Sequence, residues 1–153
     1  MKIKVSIITY ILISFLLSGC KYEPIYSQKK LNFQILKIEI PNENQINSNI
    51  QKRLDHYRNL DSSKKIEVEL DSEKIIIVSS KDMSGNPKKF EMQITVNLIV
   101  DYNDNLTKKT KFSERFNYNN ISNKFDLKKY EENIEENLID KIYQEILVYL
   151  STI

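Results

Sequence analysis

The position of one cysteine suggests that its thiol is covalently modified. Cys20 is the single cysteine of the 153-residue chain, and it directly follows two small residues, Ser18 and Gly19. It has no partner for an internal disulfide, and a lone exposed thiol would be reactive in an oxidising compartment. Covalent attachment of a lipid would remove that reactivity. We therefore identify Cys20 as a candidate site of covalent modification.

The residues before Cys20 have the pattern of an export signal. Lys2 and Lys4 give a positively charged start, and residues 5–17 carry no charge. This apolar stretch is shorter than the roughly 20 residues that a spanning helix needs. A positive start, a short apolar core and small residues before a boundary are typical of a secretory signal. We predict a signal peptide over residues 1–19, and an uncleaved anchor is the alternative.

The sequence Leu17-Ser18-Gly19-Cys20 resembles the bacterial lipobox. The resemblance implies that the Cys20 thiol receives a diacylglyceryl group, that cleavage falls between Gly19 and Cys20, and that the new amine is then acylated. The alternative is an ordinary signal followed by a chance cysteine. Because Lys21 rather than Asp follows Cys20, similarity to enterobacterial lipoproteins favours passage to the outer membrane. We expect no cofactor besides this covalent lipid.

The other residues that could do chemistry are poorly placed for catalysis. His56 is the only histidine, so neither a histidine-based metal site nor the usual base of a serine nucleophile is expected. The two glycines, Gly19 and Gly85, are too few for a phosphate-binding loop. Four glutamates near the carboxyl end could suggest acid–base chemistry, but we assign them to the solvated side of a helix: Glu131, Glu132, Glu135 and Glu136. We expect no enzymatic activity.

Basic residues flank a predicted turn over residues 83–87. Lys81, Lys88 and Lys89 lie on either side of it, and such side chains can hold phosphate or carboxylate groups. A second basic group follows on a later strand: Lys108, Lys109, Lys111 and Arg115. A solvated rim in a lysine-rich sequence is the alternative. The sequence alone does not choose between them.

Composition indicates one globular domain with no strong electrostatic field. Hydrophobic residues make up 41% and charged residues 29% of the chain, which fits a domain with a real core. The net charge is +2, and removal of Lys2 and Lys4 leaves basic and acidic residues in balance. We therefore expect no nucleic-acid partner. The predicted organisation is signal peptide 1–19, lipidated tether 20–30 and a single domain over 31–153.

Hydrophobic periodicity predicts the elements that must position these residues. Alternating apolar residues predict strands, with a bend or bulge at residues 71–73, and apolar stripes at helical spacing predict two helices. Asn42 or Asn44 can cap the first helix and Asp126 the second. The predicted strands are 31–40, 65–70 with 74–80, 89–102 and 108–118, and the helices are 44–60 and 127 onwards. The class is α+β, a two-layer sandwich of order β-α-β-β-β-α, with two helices on one face of a mainly antiparallel four-stranded sheet.

This pattern resembles the LPS-assembly lipoprotein family LptE. A lipobox is followed by the tether Tyr22-Glu23-Pro24-Ile25-Tyr26, and then by a strand and a helix. A hairpin leads into the alternating strand Phe90-Glu91-Met92-Gln93-Ile94-Thr95-Val96, and Phe116-Asn117-Tyr118-Asn119 leads into an acidic terminal helix. These features cover most of residues 20–153. The helices of the family are often rich in Ala and Arg, whereas the predicted helices of this chain have Ile, Asn and Glu instead.

The resemblance implies a specific role at the outer membrane. Members of the family sit in the lumen of the LPS translocon β-barrel LptD, act as a plug and an assembly aid, and bind lipopolysaccharide (LPS). By position, Lys81, Lys88 and Lys89 are the nearest candidates for contacting LPS. We expect lipid anchoring at the periplasmic face of the cell outer membrane. The alternatives are a structural or scaffolding lipoprotein of another envelope assembly machine, and a lipid-anchored enzyme or small-ligand receptor.

Overall fold

The computed structural model describes residues 32–102 and 106–153. The signal peptide predicted over residues 1–19, Cys20 and the rest of the tether lie outside these ranges. The elements follow the chain in this order: β1 (Gln34–Glu39), α1 (Gln45–Leu54), a 3-10 helix (Asp55–Asn59), β2 (Lys65–Lys81), β3 (Pro87–Tyr102), β4 (Leu106–Asn119) and α2 (Lys124–Thr152).

The strands form a mixed sheet in the order β1-β2-β3-β4. The pairing of β1 with β2 is parallel, whereas β2 with β3 and β3 with β4 are antiparallel. Within the described residues, two helices complete an α+β fold of order β-α-β-β-β-α, with the helices packed on one face of the sheet. The predicted fold class is confirmed.

The sheet has one buried face because β3 alternates strictly. Met92, Ile94, Val96, Leu98 and Val100 are completely buried, and they all lie on the same side of the strand. A strand places successive side chains on opposite faces, so the residues between them lie on the outer face. This face is largely polar, which is typical of antiparallel sheets with one solvated side. The core therefore lies between the sheet and the helices.

The helices cover the sheet unequally because their lengths differ. The 29-residue α2 presents a stripe of buried residues that extends from Leu127 to Leu150. Its end lies at the start of β2, where Lys64 Nζ donates to the Leu150 carbonyl at 3.0 Å. The 10-residue α1 buries Ile46, Ile50 and Leu54. The part of β2 from Glu73 to Lys81, which we call its outer half, therefore extends beyond the region of the sheet that α1 covers.

Helix boundaries differ from the predictions in ways that have local causes. Asn44 caps α1, since its Oδ1 accepts from Asn47 N at 2.8 Å, and this confirms one of the two predicted caps. The cap predicted at Asp126 is wrong: Asn123 caps α2 by accepting from Phe125 N at 3.0 Å, and Asp126 lies in the first turn. The predicted first helix tightens into the 3-10 helix after Leu54.

The bend predicted at residues 71–73 is wrong. Strand β2 is continuous there, and Asp71, Ser72 and Glu73 stay in register with Asn97, Val96 and Thr95 of β3. The irregularity lies farther along, between Val78 and Lys81, where the register with β3 shifts twice. Backbone pairing with an unbroken β3 keeps a polar stretch in the strand, because ladder hydrogen bonds do not depend on side-chain polarity.

Candidate functional site

The turn between β2 and β3 is a compact structure held by one carboxylate. Asp82 accepts hydrogen bonds from Ser84 N at 2.8 Å and from Asn86 N at 2.9 Å. These bonds favour the charged form, so the Asn86 backbone N–H, with the others, lowers the pKa of Asp82. Gly85 has a φ of 84°, a conformation that other residues rarely adopt. The turn therefore positions the strand ends on both sides of it.

The three predicted contact lysines all lie at this end of the hairpin, which we call the hairpin tip (residues 81–89). Lys81 is opposite Pro87 in the ladder, and Lys89 is opposite Ser80 on one side and Asn119 on the other. Lys81, Lys88 and Lys89 are all exposed. The structure thus brings these residues together, and their role in contacting LPS stays a prediction.

A second set of lysines, absent from the sequence prediction, lies at the same end. Asn120 N and Asn120 Nδ2 donate to the carbonyls of Lys88 and Pro87, both at 2.9 Å, and α2 begins four residues later. The first turns of α2 carry three exposed lysines: Lys124, Lys128 and Lys129. These residues are some 40 positions from the hairpin tip, so only the return of β4 brings them near it.

Large apolar side chains are exposed at the same end. Met83 in the turn is fully exposed, and Phe125 in the first turn of α2 is 75% exposed. Exposed apolar side chains next to cationic ones are what an anionic amphiphile can contact, with its charged groups on the lysines and its hydrocarbon on the apolar residues. The hairpin tip and the start of α2 form the candidate site.

A groove of about 570 Å³ runs between the start of α1, the middle of α2 and the outer half of β2. Two polar pairs lie along it. Tyr118 Oη donates to Glu131 Oε1 at 2.7 Å, and Lys74 Nζ lies 2.7 Å from Glu135 Oε2. Burial, followed by the contact with Glu131, raises the pKa of Tyr118. The groove is thus a polar cleft in which two carboxylates, Glu131 and Glu135, are already paired.

The glutamates of α2 require a correction. Glu132 and Glu136 are exposed, as predicted. The assignment to the solvated side is wrong for Glu131 and Glu135, which are half-buried in the groove and bound to Tyr118 and Lys74. Both carboxylates face the sheet, where Tyr118 of β4 and Lys74 of β2 are their partners. These carboxylates hold α2 against the sheet.

The described part of the chain offers little for metal or redox chemistry. Residues 32–102 and 106–153 contain no group of three or more His, Cys, Asp or Glu arranged to hold a metal ion. His56 is exposed on the 3-10 helix, with its ring edge-on to Tyr57 at 5.4 Å between centroids. In the same ranges, neither helix combines the length and apolarity that crossing a bilayer requires.

The outer face of the sheet separates its charges into two rows. The β2 row is acidic: Glu67, Glu69, Asp71 and Glu73. On β4, Lys109 lies across β3 from Glu69 and Lys111 from Asp71, and Arg115 continues this basic row. The face as a whole is therefore polar, with both signs of charge exposed.

Comparison with solved structures identifies proteins that share this fold. Rare lipoprotein B from Shewanella oneidensis is similar, with a TM-score of 0.57 and 16% identity over 76% of this chain and 95% of that chain. A minor lipoprotein from Acinetobacter baumannii gives 0.56 and 9% over 79% and 91%. Lipoprotein B from Nitrosomonas europaea gives 0.54 and 16% over 78% and 85%.

These similarities concern the fold, which the chain shares with bacterial lipoproteins over nearly their whole length. No protein-family model matches the sequence. No curated protein matches it.

Proposed function

We propose that this protein is an outer-membrane lipoprotein of the LptE type, anchored through Cys20, that plugs LptD, assists its assembly and contacts LPS during delivery to the cell surface. The observation that carries the proposal is the combination of a lipobox-like leader with a fold that solved lipoproteins share. The lipid would hold the domain at the periplasmic face of the membrane. The domain itself would act by binding, without covalent chemistry.

The candidate site supports a contact with LPS. LPS is an anionic amphiphile, and cationic side chains bind phosphate through charge-assisted hydrogen bonds. Lys81, Lys88 and Lys89 lie at the hairpin tip, and Met83 and Phe125 expose apolar surface at the same end. The second lysine set on α2 adds to the same positive end. We assign phosphate contacts to the lysines and acyl-chain contacts to the two apolar side chains.

The polar outer face of the sheet supports the proposed role as a plug. The lumen of a large outer-membrane barrel is polar, so a body inside it needs a polar surface that can pair with charges of both signs. The acidic row on β2 and the basic row on β4 provide such a surface. A polar face of this kind also suits a scaffolding lipoprotein of another envelope machine.

Co-purification in mild detergent tests whether the protein binds a β-barrel partner. The full lipidated chain should bring down a large β-barrel protein, and a result without any barrel would contradict the plug. Depletion in cells then separates the two assemblies. Accumulation of LPS inside the cell supports LPS delivery, whereas general loss of outer-membrane barrels supports the scaffolding role.

Charge reversal tests the LPS contact. The triple variant Lys81→Glu/Lys88→Glu/Lys89→Glu should bind LPS at least about tenfold more weakly, because three charge-assisted contacts become repulsive. The matched control reverses the basic row of β4: Lys109→Glu/Lys111→Glu/Arg115→Glu. It changes the net charge equally but lies along the outer face. Equal weakening in both variants would show that net charge, and not the hairpin tip, determines binding.

A further inference from the structure

One edge of β2 has no partner strand over part of its length. Strand β1 pairs with residues 65–69. At Ser72 a side chain occupies the edge, since Asn44 Nδ2 donates to the Ser72 carbonyl at 3.2 Å. From Lys74 to Val78, no strand among residues 32–102 and 106–153 pairs with β2 on this side. We call the stretch Lys74–Val78 the open edge.

The backbone of the open edge is regular and points its free groups outward. The stretch stays in unbroken register with β3, and both register shifts lie beyond Val78. On the side of β1, the Lys64 carbonyl accepts from β1 and the Ser72 carbonyl accepts from the cap of α1. Alternate residues of a strand direct their backbone groups to the same side. Lys74, Ile76 and Val78 therefore present their N–H and C=O groups at the open edge.

The inner-face side chains of the open edge lie beside the groove on α2. Lys74 and Ile76 both line this groove, which has a volume of about 570 Å³. Ile76 is 41% exposed, although it lies on the same face of β2 as the buried Val68 and Leu70. Successive side chains of a strand alternate between the two faces. A strand added to the open edge would therefore place every second side chain at the mouth of the groove.

The groove carries a net negative charge. Four glutamates of α2 line it, and the lysines that line it are two, Lys74 and Lys128. Glu135 is paired with Lys74. Glu132 and Glu136 are exposed and make no ion pair with any residue that the structure describes. Basic side chains at the mouth of the groove would therefore meet carboxylates that are ready to bind them.

The outer face of the open edge calls for apolar neighbours. Ile75 and Ile77 lie on this face and are 43% and 50% exposed. Native proteins normally protect a sheet edge with charged residues, and β4 does so on this face with Lys109 and Lys111. The open edge carries no charge on its outer face. Apolar residues of an added strand would pair across from the two isoleucines.

We propose that the open edge of β2 binds an extended segment of another protein in which basic and apolar residues alternate. Main-chain hydrogen bonds to Lys74, Ile76 and Val78 would hold this segment as an additional strand. Its basic side chains are long enough to pass over Ile76 with their apolar stems and to place their charges near Glu132 and Glu136. The surface is separate from the hairpin tip, so this inference does not depend on the proposed contact with LPS.

A labelled peptide of alternating lysine and valine tests the main-chain pairing. It should bind the full lipidated chain in non-ionic detergent, as measured by fluorescence anisotropy, and a peptide of alternating glutamate and valine should bind at least about tenfold more weakly. N-methylation of every second residue removes the N–H groups from one side of a strand only. Methylation of one set should weaken binding at least about tenfold, and methylation of the other set should leave it within about threefold. Equal effects of the two sets, or no saturable binding of the lysine–valine peptide, overturn the proposal.

Neutralisation of charges in the groove tests where the peptide binds. Glu132→Gln/Glu136→Gln should weaken binding of the lysine–valine peptide about three- to thirtyfold, because two exposed ion pairs are lost. The matched control is Glu67→Gln/Glu69→Gln, which removes the same charge from the part of β2 that β1 already covers. The control should bind within about twofold of the unsubstituted chain. Equal weakening in both variants would show that net charge determines binding, and would overturn the assignment to the groove.

Amide hydrogen exchange, measured by NMR on the full lipidated chain, identifies the occupant of the open edge. Without peptide, the amides of Lys74, Ile76 and Val78 should exchange faster than those of Ile75 and Ile77, which pair with β3, and the lysine–valine peptide should protect them. Protection before the peptide is added overturns the proposal. If dilution removes that protection, a second copy of the chain occupies the edge. If the protection is independent of concentration, a segment of the same chain occupies it.

Discussion

At the scale of single residues, the pair of Tyr118 and Glu131 links the inner side of β4 to α2. Tyr118 is 3% exposed, and its hydroxyl group donates to the half-buried carboxylate of Glu131 at 2.7 Å. Removing the donor with Tyr118→Phe leaves that carboxylate without its partner. We expect a loss of about 1.5 kcal/mol in the free energy of unfolding at pH 7, because a hydrogen bond to a charged group is lost.

Urea unfolding of the wild type and the variant measures this loss. Tyr130→Phe is the matched control, because Tyr130 packs edge-on against Tyr118 at 6.1 Å between ring centroids but is 39% exposed. Its hydroxyl group makes no hydrogen bond within the described residues, so the change should stay within about 0.5 kcal/mol. A loss in Tyr130→Phe as large as in Tyr118→Phe would contradict the assigned role of the hydrogen bond.

The same residue predicts a response to alkaline pH. Burial and Glu131 raise the pKa of Tyr118 above its usual value of about 10. The folded state therefore holds this proton more tightly than the unfolded state does. The resulting stability is complete below pH of about 10 and is lost as the pH rises through the folded pKa.

Unfolding measured from pH 8 to 12 should show this effect. The wild type should lose stability above pH of about 10 more steeply than Tyr118→Phe, which lacks the titrating group. Tyr143, whose pKa is raised by burial, and Lys64, whose pKa is lowered by burial, are present in both proteins and cancel in the comparison. Identical pH dependence in the two proteins would show that Tyr118 does not titrate differently on folding.

At the scale of elements, Asn44 joins the start of α1 to β2 through three hydrogen bonds. Its side chain caps α1 through Asn47 N, accepts from Ser72 Oγ at 3.1 Å and donates to the Ser72 carbonyl. Asn44→Ala removes all three contacts, so the free energy of unfolding should fall by about 2 kcal/mol, at the upper end of the range for helix caps. Thermal unfolding checks this value.

The control for Asn44 is Lys52→Ala, which removes an exposed side chain on the same helix. This change should leave the free energy of unfolding within about 0.5 kcal/mol of the wild type. Equal effects in the two variants would mean that the helix tolerates loss of its cap, and that α1 is held by Ile46, Ile50 and Leu54 alone.

Elements were largely predictable from sequence because their signals are local. The alternation of apolar residues from Phe90 to Val100 indicates which side of the strand faces the core. The apolar stripe from Ile134 to Leu150 does the same for the helix. Continuity through Asp71–Glu73 was not predictable, since the unbroken partner strand β3 decides it. Asn and Asp both cap helices well, so residue type alone does not choose between Asn123 and Asp126. The choice depends on where β4 ends and the chain turns into α2.

The candidate site was predictable only in part. Lys81, Lys88 and Lys89 flank a turn with clear composition, so a local pattern found them. The lysines of α2 and the exposed Phe125 join them only through the return of β4 along β3. The partners of Glu131 and Glu135 lie on β4 and β2, which a helical wheel of α2 does not contain. Non-local packing therefore accounts for both omissions.

At the scale of the whole molecule, the charge rows on the outer face predict how the domain meets a partner. The acidic row of β2 and the basic row of β4 offer both signs to a polar surface. Capture of the proposed barrel partner should therefore weaken as salt rises from 0.1 M to 1 M, since the Debye length falls from about 10 Å to about 3 Å. Measurement of the captured fraction against salt checks this, and capture independent of salt would indicate a contact dominated by apolar burial.

The final prediction concerns what joins the domain to the membrane. In the described ranges neither helix can cross a bilayer, and the sequence predicts that lipid on Cys20 performs the anchoring. At roughly 0.8 kcal/mol per buried methylene, one acyl chain binds only marginally, whereas two or three hold almost irreversibly. Cys20→Ser should therefore move the protein from the outer-membrane fraction to the soluble fraction, with Ser18→Ala as a control that keeps the thiol and a small residue. Fractionation with mass spectrometry of the amino terminus measures both. If Cys20→Ser still sedimented with outer membranes after a high-salt wash, a protein contact would have to supply the anchoring that we assign to the lipid.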